Sequence, residues 1–493
     1  LYPDLINNYL KVLIMGLVDA LRTKDVTTEN GMATNSTTLN MCVDLFSRVG
    51  AMRTQSDTEV INLFVKAFEE DALTAMKVLF WARDIRGGAG ERKIFRTIIK
   101  YLADNRTEAM AKNANLISEY GRWDDVFVLF DTKLEEVALK MISSALKSGD
   151  GLAAKWSPRP NGSNMRKKAI ANKIMKYMGL TPKAYRKMLV EATNVVETNM
   201  CNREFSAIDY SKVPSKAMAD YARAFGRNDG ARYAEYLNSV NRGEVKINTS
   251  AVYPYNVMNM LRNGNKSGAN TMWANLPNYM EDNNEMLLPV VDVSGSMGCP
   301  ASGSGSITCM DVAISLGLYI SERNEGDFKD AFITFSSNPK LQYLKGNLNE
   351  RFNQLHRAEW GMSTNVEAVF KLILDKAKAN SVPQSEMPTM VLILSDMQFN
   401  AATGSYRSSW NPTAQEMIRS MYEKAGYTMP KLVYWNLNAR NSDSPVQFNE
   451  TQTALVSGFN PSLLTNLLAG KDMTPYSMMM NVIGSSRYDA VTV

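Results

Sequence analysis

Leu287-Leu288-Pro289-Val290-Val291-Asp292-Val293-Ser294-Gly295-Ser296 decides the fold of this chain. A short run that is apolar at every position, not at alternate ones, reads as a strand buried on both faces, the kind found in parallel sheets covered by helices. The run ends in an acid, and three oxygen-bearing side chains then follow at alternate positions: Asp292, Ser294 and Ser296. In a loop passing from extended to turned backbone, that spacing aims all three the same way. Gly295 allows the sharp turn between them.

Outward from this stretch the same grammar repeats. The pattern predicts a helix over 311–322, a strand over 331–335, a helix over 366–377 and a strand over 390–394 that ends in Ser395-Asp396. A helix over 413–424, strands over 432–435 and 454–457, and a helix over 461–468 complete the unit. Continuously apolar strands alternating with helices mean a Rossmann-like, doubly wound α/β domain, placed at 286–470, with a C-terminal helix or tail at 471–493. Ligands of such sheets bind beyond the carboxyl ends of the strands, at a switch point. Asp292 and Asp396 fall at such ends. Gly361-Met362-Ser363-Thr364-Asn365 precedes a helix and offers the Thr364 hydroxyl, although Ser363 is as good an N-cap as Thr364.

Taken singly, an Asp-x-Ser-x-Ser string is more often a capped turn than a metal site. Asp292, Ser294, Ser296, Thr364 and Asp396 together, each at the right element, read as a site for Mg²⁺, a hard cation that takes oxygen ligands and keeps several waters. Two carboxylates and three hydroxyls leave a face open for an acidic group from outside.

Residues 1–250 read differently, as one short amphipathic helix after another with little β-branched alternation, which predicts stacked helix pairs as in a solenoid. The polar, Gly-containing stretch 263–270 marks 251–285 as a linker. At 493 residues the chain exceeds one ordinary core, so an α + α/β organisation in at least two domains is expected.

Composition narrows the function classes. No stretch reaches the ~18 apolar residues of a membrane span. The opening Leu1-Tyr2-Pro3-Asp4 lacks the basic-then-apolar plan of a secretory signal. The four cysteines, Cys42, Cys201, Cys299 and Cys309, include no C-x-x-C pair. Cys299 and Cys309 bracket a Gly/Ser loop and can bridge under oxidation, but so few cysteines in so long a chain point to the cytoplasm. The single histidine, His356, rules out a His-pair metal site, and no G-x-S-x-G elbow accompanies it, so an enzyme is not expected.

The net charge of +5 is uneven: residues 1–285 hold 39 basic against 32 acidic side chains. Residues 151–190 carry Lys155, Arg159, Arg166, Lys167, Lys168, Lys173, Lys176, Lys183, Arg186 and Lys187 without one acid, with Trp156, Tyr177 and Tyr185 interleaved. Lys and Arg neutralise phosphates, and aromatics among them stack unpaired bases. The competing reading is a solvated face balanced by acids elsewhere, such as Asp124 and Asp125. A second cluster, 83–96, contains Gly87-Gly88-Ala89-Gly90 before a helix start. It suits an anion, but a tight inter-helix turn with Asp84 and Glu91 paired to nearby arginines is the stronger expectation.

The metal-site pattern resembles the metal-ion-dependent adhesion site of the von Willebrand factor A fold, in which these five residue types hold one Mg²⁺ or Mn²⁺. The resemblance maps the ligands onto Asp292, Ser294, Ser296, Thr364 and Asp396. The third loop reads Ser395-Asp396-Met397 where many members have Thr-Asp-Gly, and the loop after Ser296 is lengthened by 298–306. The segments 83–92, 120–125, 153–159 and 208–215, with the closing Arg487-Tyr488-Asp489, resemble the Ro-like family of plants and phages. That family is similar in plan to the Ro ribonucleoprotein autoantigen, a TROVE module of HEAT-like helices closed into a ring by a von Willebrand A domain. The resemblance implies a cytoplasmic RNA-binding protein, for small noncoding or single-stranded RNA, with the basic residues of 151–190 on phosphate. The alternative it leaves open is an adaptor that captures an acidic residue of a protein partner on the metal, beside an AAA+ ATPase or within a larger assembly.

Overall fold

The computed structural model describes residues 25–193, 195–281, 284–301, 307–335, 338–357, 363–402, 412–470 and 473–493. The opening tetrapeptide, the 302–306 part of the lengthened loop, Gly361, Met362 and the side chain of His356 lie outside them.

A two-stranded ribbon comes first, β1 (Val26–Thr27) against β2 (Ala33–Thr34). The six-stranded sheet follows: β3 (Leu287–Val291), β4 (Ala331–Thr334), β5 (Leu341–Tyr343), β6 (Met390–Ser395), β7 (Lys431–Asn436) and β8 (Thr453–Ser457). Their order is β5-β4-β3-β6-β7-β8, all parallel except β5, which pairs antiparallel with β4. From β3 the chain winds one way through β4 to β5, then returns to the other side through β6. The switch point therefore lies between β3 and β6. Every residue of β3, β6 and β8 is buried, as apolar strands covered on both faces must be.

Helix Cys309–Arg323 packs on β3, β4 and β6. Its start is fixed by a capping box between Thr308 and Asp311. The edge at β8 is covered by two helices, Met41–Val49 and Pro475–Ile483, drawn from opposite ends of the chain. That covering hides an apolar edge strand from pairing with other chains. Gly50 makes the approach possible, since a Cβ there would lie 2.6 Å from the Ser457 carbonyl oxygen. Its amide donates instead to Ser457 Oγ at 3.0 Å. The early part of the expected helical region, 25–55, is thus built onto the sheet: Asn35 N donates to Ser444 O at 3.1 Å and Ala439 N to Ala51 O at 3.1 Å.

From Asp57 to Ala274 the described chain is helical, with sequence neighbours packed together. The stretch expected as a linker is a correction. It forms helices Pro254–Arg262 and Lys266–Ala274, whose Val257, Met258, Met272 and Trp273 are buried. Arg262 pairs with Asp311, Trp273 Nε1 donates to Glu322 at 3.0 Å, and Arg323 Nη2 donates to the Trp273 carbonyl at 2.9 Å. Asn263 and Gly264 are exposed at the turn between the helices, whereas Asn256 and Gly268 are buried within them.

The glycine cluster is a tight turn, as expected, but the partners of its acids are remote in sequence. Gly88 is required there because a Cβ would fall 1.9 Å from the Trp81 carbonyl oxygen. Glu91 is buried and receives both Nε and Nη2 of Arg53. Asp84, also buried, accepts from Arg487 Nη2 at 2.7 Å and Tyr488 OH at 3.1 Å, and Tyr120 stacks on Tyr488 at 5.7 Å. Gly121 to Asp125 joins the same network, in which Arg83 meets Asp125 at 2.7 Å with both side chains in the core.

Arg487→Ala removes the cation from a buried carboxylate and leaves it with the Tyr488 hydroxyl and the Arg86 amide, both neutral donors. Breaking a buried pair typically costs ~3–5 kcal/mol, and the partial exposure of Arg487 lowers this to about 2–3 kcal/mol. Urea unfolding measures it; a loss under about 0.5 kcal/mol would show that the C-terminal clasp is incidental.

Candidate metal centre

Asp292 leaves the end of β3 and Asp396 the end of β6, side by side because Val291 is in register with Leu394. Asp292 N donates to Leu394 O at 2.9 Å. The Asp292 carboxylate accepts from Ser294 N at 2.9 Å through Oδ1 and from Ser395 Oγ at 2.5 Å through Oδ2. Ser294 Oγ and Ser296 Oγ lie 3.0 Å apart, at the start of a short 3₁₀ turn, Gly295–Gly298. Asp396 accepts from Gln398 N at 3.3 Å, and Arg440 Nη2 stands 3.3 Å from its other oxygen.

Both carboxylates are almost wholly buried, at 0% and 2% exposure. Burial, then the neighbouring Asp396 charge, pushes Asp292 up to about 6. Burial likewise raises Asp396, against the hydrogen bonds of Ser296 and Gln398 and the Arg440 charge. Two like charges out of water disfavour each other's ionisation unless a cation stands between them. Among the described residues no three His, Cys, Asp or Glu side chains converge, so an ion here would complete its shell with hydroxyls and water, as a hard cation accepts. The donor set fits that requirement.

Thr364 is buried at the mouth of helix Val366–Ala379. Its carbonyl accepts from Asn400 N at 3.0 Å, and Asn400 Nδ2 donates to Ser363 Oγ at 2.9 Å, which ties this loop to the one carrying Asp396. The helix N-cap is Asn365, not Ser363 or Thr364, since Asn365 Oδ1 accepts from Ala368 N at 2.9 Å. Neither hydroxyl is consumed by capping.

Sequence reasoning missed two contributors, Ser395 and Arg440. Ser395 bridges the loops, donating to Asp292 and accepting from Met397 N at 3.1 Å. Met397, the departure noted after Asp396, sits at φ +66, in the left-handed region that favours glycine. That conformation costs a non-glycine residue roughly 1–2 kcal/mol, offset here by burial of the Met397 side chain. Arg440 stands at 3.3 Å from Asp396 and 3.5 Å from Glu29, a residue of the N-terminal ribbon. Only its charge gave a signal in the sequence.

The basic residues lie on other elements, helices Gly151–Trp156, Met165–Met178 and Pro182–Ala192 and the loop carrying Arg159. Lys155 pairs with Glu197 at 2.9 Å, Lys173 with Asp131 at 2.6 Å and Glu135 at 2.7 Å, and Lys187 with Glu191 at 3.6 Å. Arg166, Lys167, Lys168, Lys176, Lys183 and Arg186 are exposed. Asp124 and Asp125 are held by Arg83, Arg96 and Arg122 and do not balance them. Of the interleaved aromatics only Tyr177 is open, at 47% exposure. Tyr185 is buried in the helix packing, and Trp156 lies beneath the Arg122 guanidinium at 4.0 Å, which corrects the expectation that all three are free to stack.

Residues 287–485 match a family described as "Domain of unknown function (DUF7788)", and residues 28–129 and 180–289 match "Domain of unknown function (DUF2828)". An uncharacterized protein of Acanthamoeba polyphaga mimivirus is 30% identical over 510 aligned positions, covering 92% of this chain and 86% of that protein. The crystal structure of the Deinococcus radiodurans RO (RSR) protein aligns over 94% of this chain and 96% of its own at 13% identity and a TM-score of 0.38, a likeness too low to fix a common fold. No helix of the described residues is long and apolar enough to cross a membrane.

With a folded-state value of about 6 against an unfolded carboxylate value of ~3.9, Asp292 binds its proton more tightly when folded. Its contribution to stability therefore falls as pH rises through about 4 to 6 and stays low above that window. In chelator, Asp292→Asn is expected to flatten that fall and to be at least as stable as the parent at pH 7. A variant markedly less stable at pH 7 in thermal melts would contradict the strained-pair description.

Proposed function

Since the chain belongs to the same family as the mimivirus protein, whose match spans the helical region and the sheet together, we propose one function for the whole: a binding protein whose sheet captures an external carboxylate through a divalent cation. The observation that carries this reading is the buried Asp292–Asp396 pair at the switch point. Mg²⁺ or Mn²⁺ would be held by Asp292, Ser294, Ser296, Thr364 and Asp396 and would supply a positive centre for an acidic residue of a protein partner. The strand order and the three site loops support a von Willebrand A-type sheet. The chain's own residues do the rest. Ser395 orients Asp292, and the backbone amides of Ser294 and Gln398 hold the two carboxylates. Arg440 reaches the outer oxygen of Asp396, where an incoming cation must displace it or share.

Saturating Mg²⁺ or Mn²⁺ is expected to raise stability, by about 2.7 kcal/mol at a hundredfold excess over Kd, and Asp396→Ala is expected to abolish the gain. Thermal melts that do not respond to either ion would remove the proposal.

A second reading, a Ro-like RNA-binding function with a TROVE-type helical module, is favoured by the exposed cations on helices Met165–Met178 and Pro182–Ala192 that lack an acidic partner among the described residues. Lys167→Glu, Lys168→Glu and Lys176→Glu combined should weaken single-stranded RNA binding at least tenfold and reduce the salt slope by about 2, at ~0.7 per phosphate contact. Filter binding with unchanged affinity would exclude this face.

A further inference from the structure

Cys299 and Cys309 stand at the root of the loop that follows Ser296, and the backbone there is an antiparallel pair. Pro300 bridges Thr308, Ala301 N donates to Ile307 O at 2.8 Å, and Cys309 N donates to Cys299 O at 3.0 Å. The two cysteines therefore face each other in register. Opposed residues of such a pair have Cα atoms ~5.5 Å apart, inside the ~4.4–6.8 Å range of disulfides. The sulfurs are already 3.5 Å apart, and rotation about the Cα–Cβ bonds closes the remainder to ~2.05 Å.

The two thiols are not equivalent. Cys299 is half-buried and its sulfur accepts from Asn438 Nδ2 at 3.0 Å, a contact that favours a thiolate. Cys309 is buried and its S–H donates to the Leu437 carbonyl at 3.4 Å. Leu437 and Asn438 begin the loop that carries Arg440 to Asp396.

We propose that Cys299 and Cys309 are a redox-active dithiol that is oxidised by a low-molecular-weight disulfide, with Cys299 attacking and Cys309 resolving. The Cys299 thiolate, having given its proton to water, attacks one sulfur of the small disulfide. A mixed disulfide forms and one small thiolate leaves. Cys309 then loses its proton and attacks the Cys299 sulfur, and the second small thiolate leaves. Two protein thiols are oxidised to one disulfide, and one small disulfide is reduced to two thiols, which take up the two protons. Oxidation withdraws the Cys309 S–H from Leu437 and so couples the redox state to the loop bearing Arg440. The inference does not depend on a bound metal.

The test incubates the full chain with oxidised glutathione, alkylates the remaining thiols, and maps the peptides by mass spectrometry. The parent is expected to give a linked Cys299–Cys309 peptide, with a glutathione adduct confined to the exposed Cys201. Cys309→Ser should trap the adduct on Cys299, and Cys299→Ser should leave Cys309 unmodified. A parent in which both thiols are alkylated, or in which the Cys299 adduct persists beside a free Cys309, overturns the proposal. Hydrogen exchange reads the coupling: amides of 437–441 should exchange several-fold faster in the oxidised chain, and unchanged exchange with the disulfide in place refutes the link to the Arg440 loop.

Discussion

Two carboxylates buried against each other at the parting of β3 and β6 constrain this molecule more than any other contact. Parallel pairing in register brings Asp292 and Asp396 together. The sheet that aligns them also takes them out of water, where an unpaired charge is costly. The protein compensates in part with Ser395, the Ser294 and Gln398 amides and a half-exposed Arg440. These are neutral dipoles and one shared guanidinium, enough to hold the geometry but not to neutralise two negative charges. On the proposed reading a divalent cation would offset that residual imbalance, with hydroxyls as oxygen donors that add no charge.

The rest of the fold holds that arrangement still. The N-terminal ribbon lies against the Asp396 loop: Thr28 Oγ1 donates to Phe399 O at 2.6 Å and Asn30 Nδ2 to Gln398 O at 2.6 Å. The last residues return to the helical region, where Arg487 and Tyr488 close over Asp84. The glycine cluster is bound on its sheet side by Asn460 Nδ2, which donates to Gly88 O at 2.6 Å. Helical region and sheet are therefore joined by specific polar contacts and by the packed helices of 254–274, not by a flexible tether. Within the segments 83–92 and 120–125, Arg83, Asp84, Glu91 and Asp125 turn inward as members of ion pairs.

The sheet and the strand ends that carry Asp292 and Asp396 were legible because each is a local signal, an apolar run closed by Asp. The contributors that were missed act across distance. Ser395 is one residue from Asp396 in sequence, yet its partner is on another strand. Asp84 and Arg487 are 403 positions apart, and no periodicity announces such a pair. The 251–285 stretch misled because its polar residues cluster at one turn and hide two short helices whose buried face is methionine and tryptophan. Tyr185 misled for the converse reason: an aromatic among lysines reads as accessible, but its place on the helix turns it into the core.

The most direct measurement is an anomalous-scattering map from crystals soaked in manganese. The account predicts a peak within coordination distance of Asp292 and Asp396, with the Ser294, Ser296 and Thr364 hydroxyls turned toward it and Arg440 moved off Asp396. A map with no peak between the two carboxylates, and with the guanidinium still on Asp396, would contradict it.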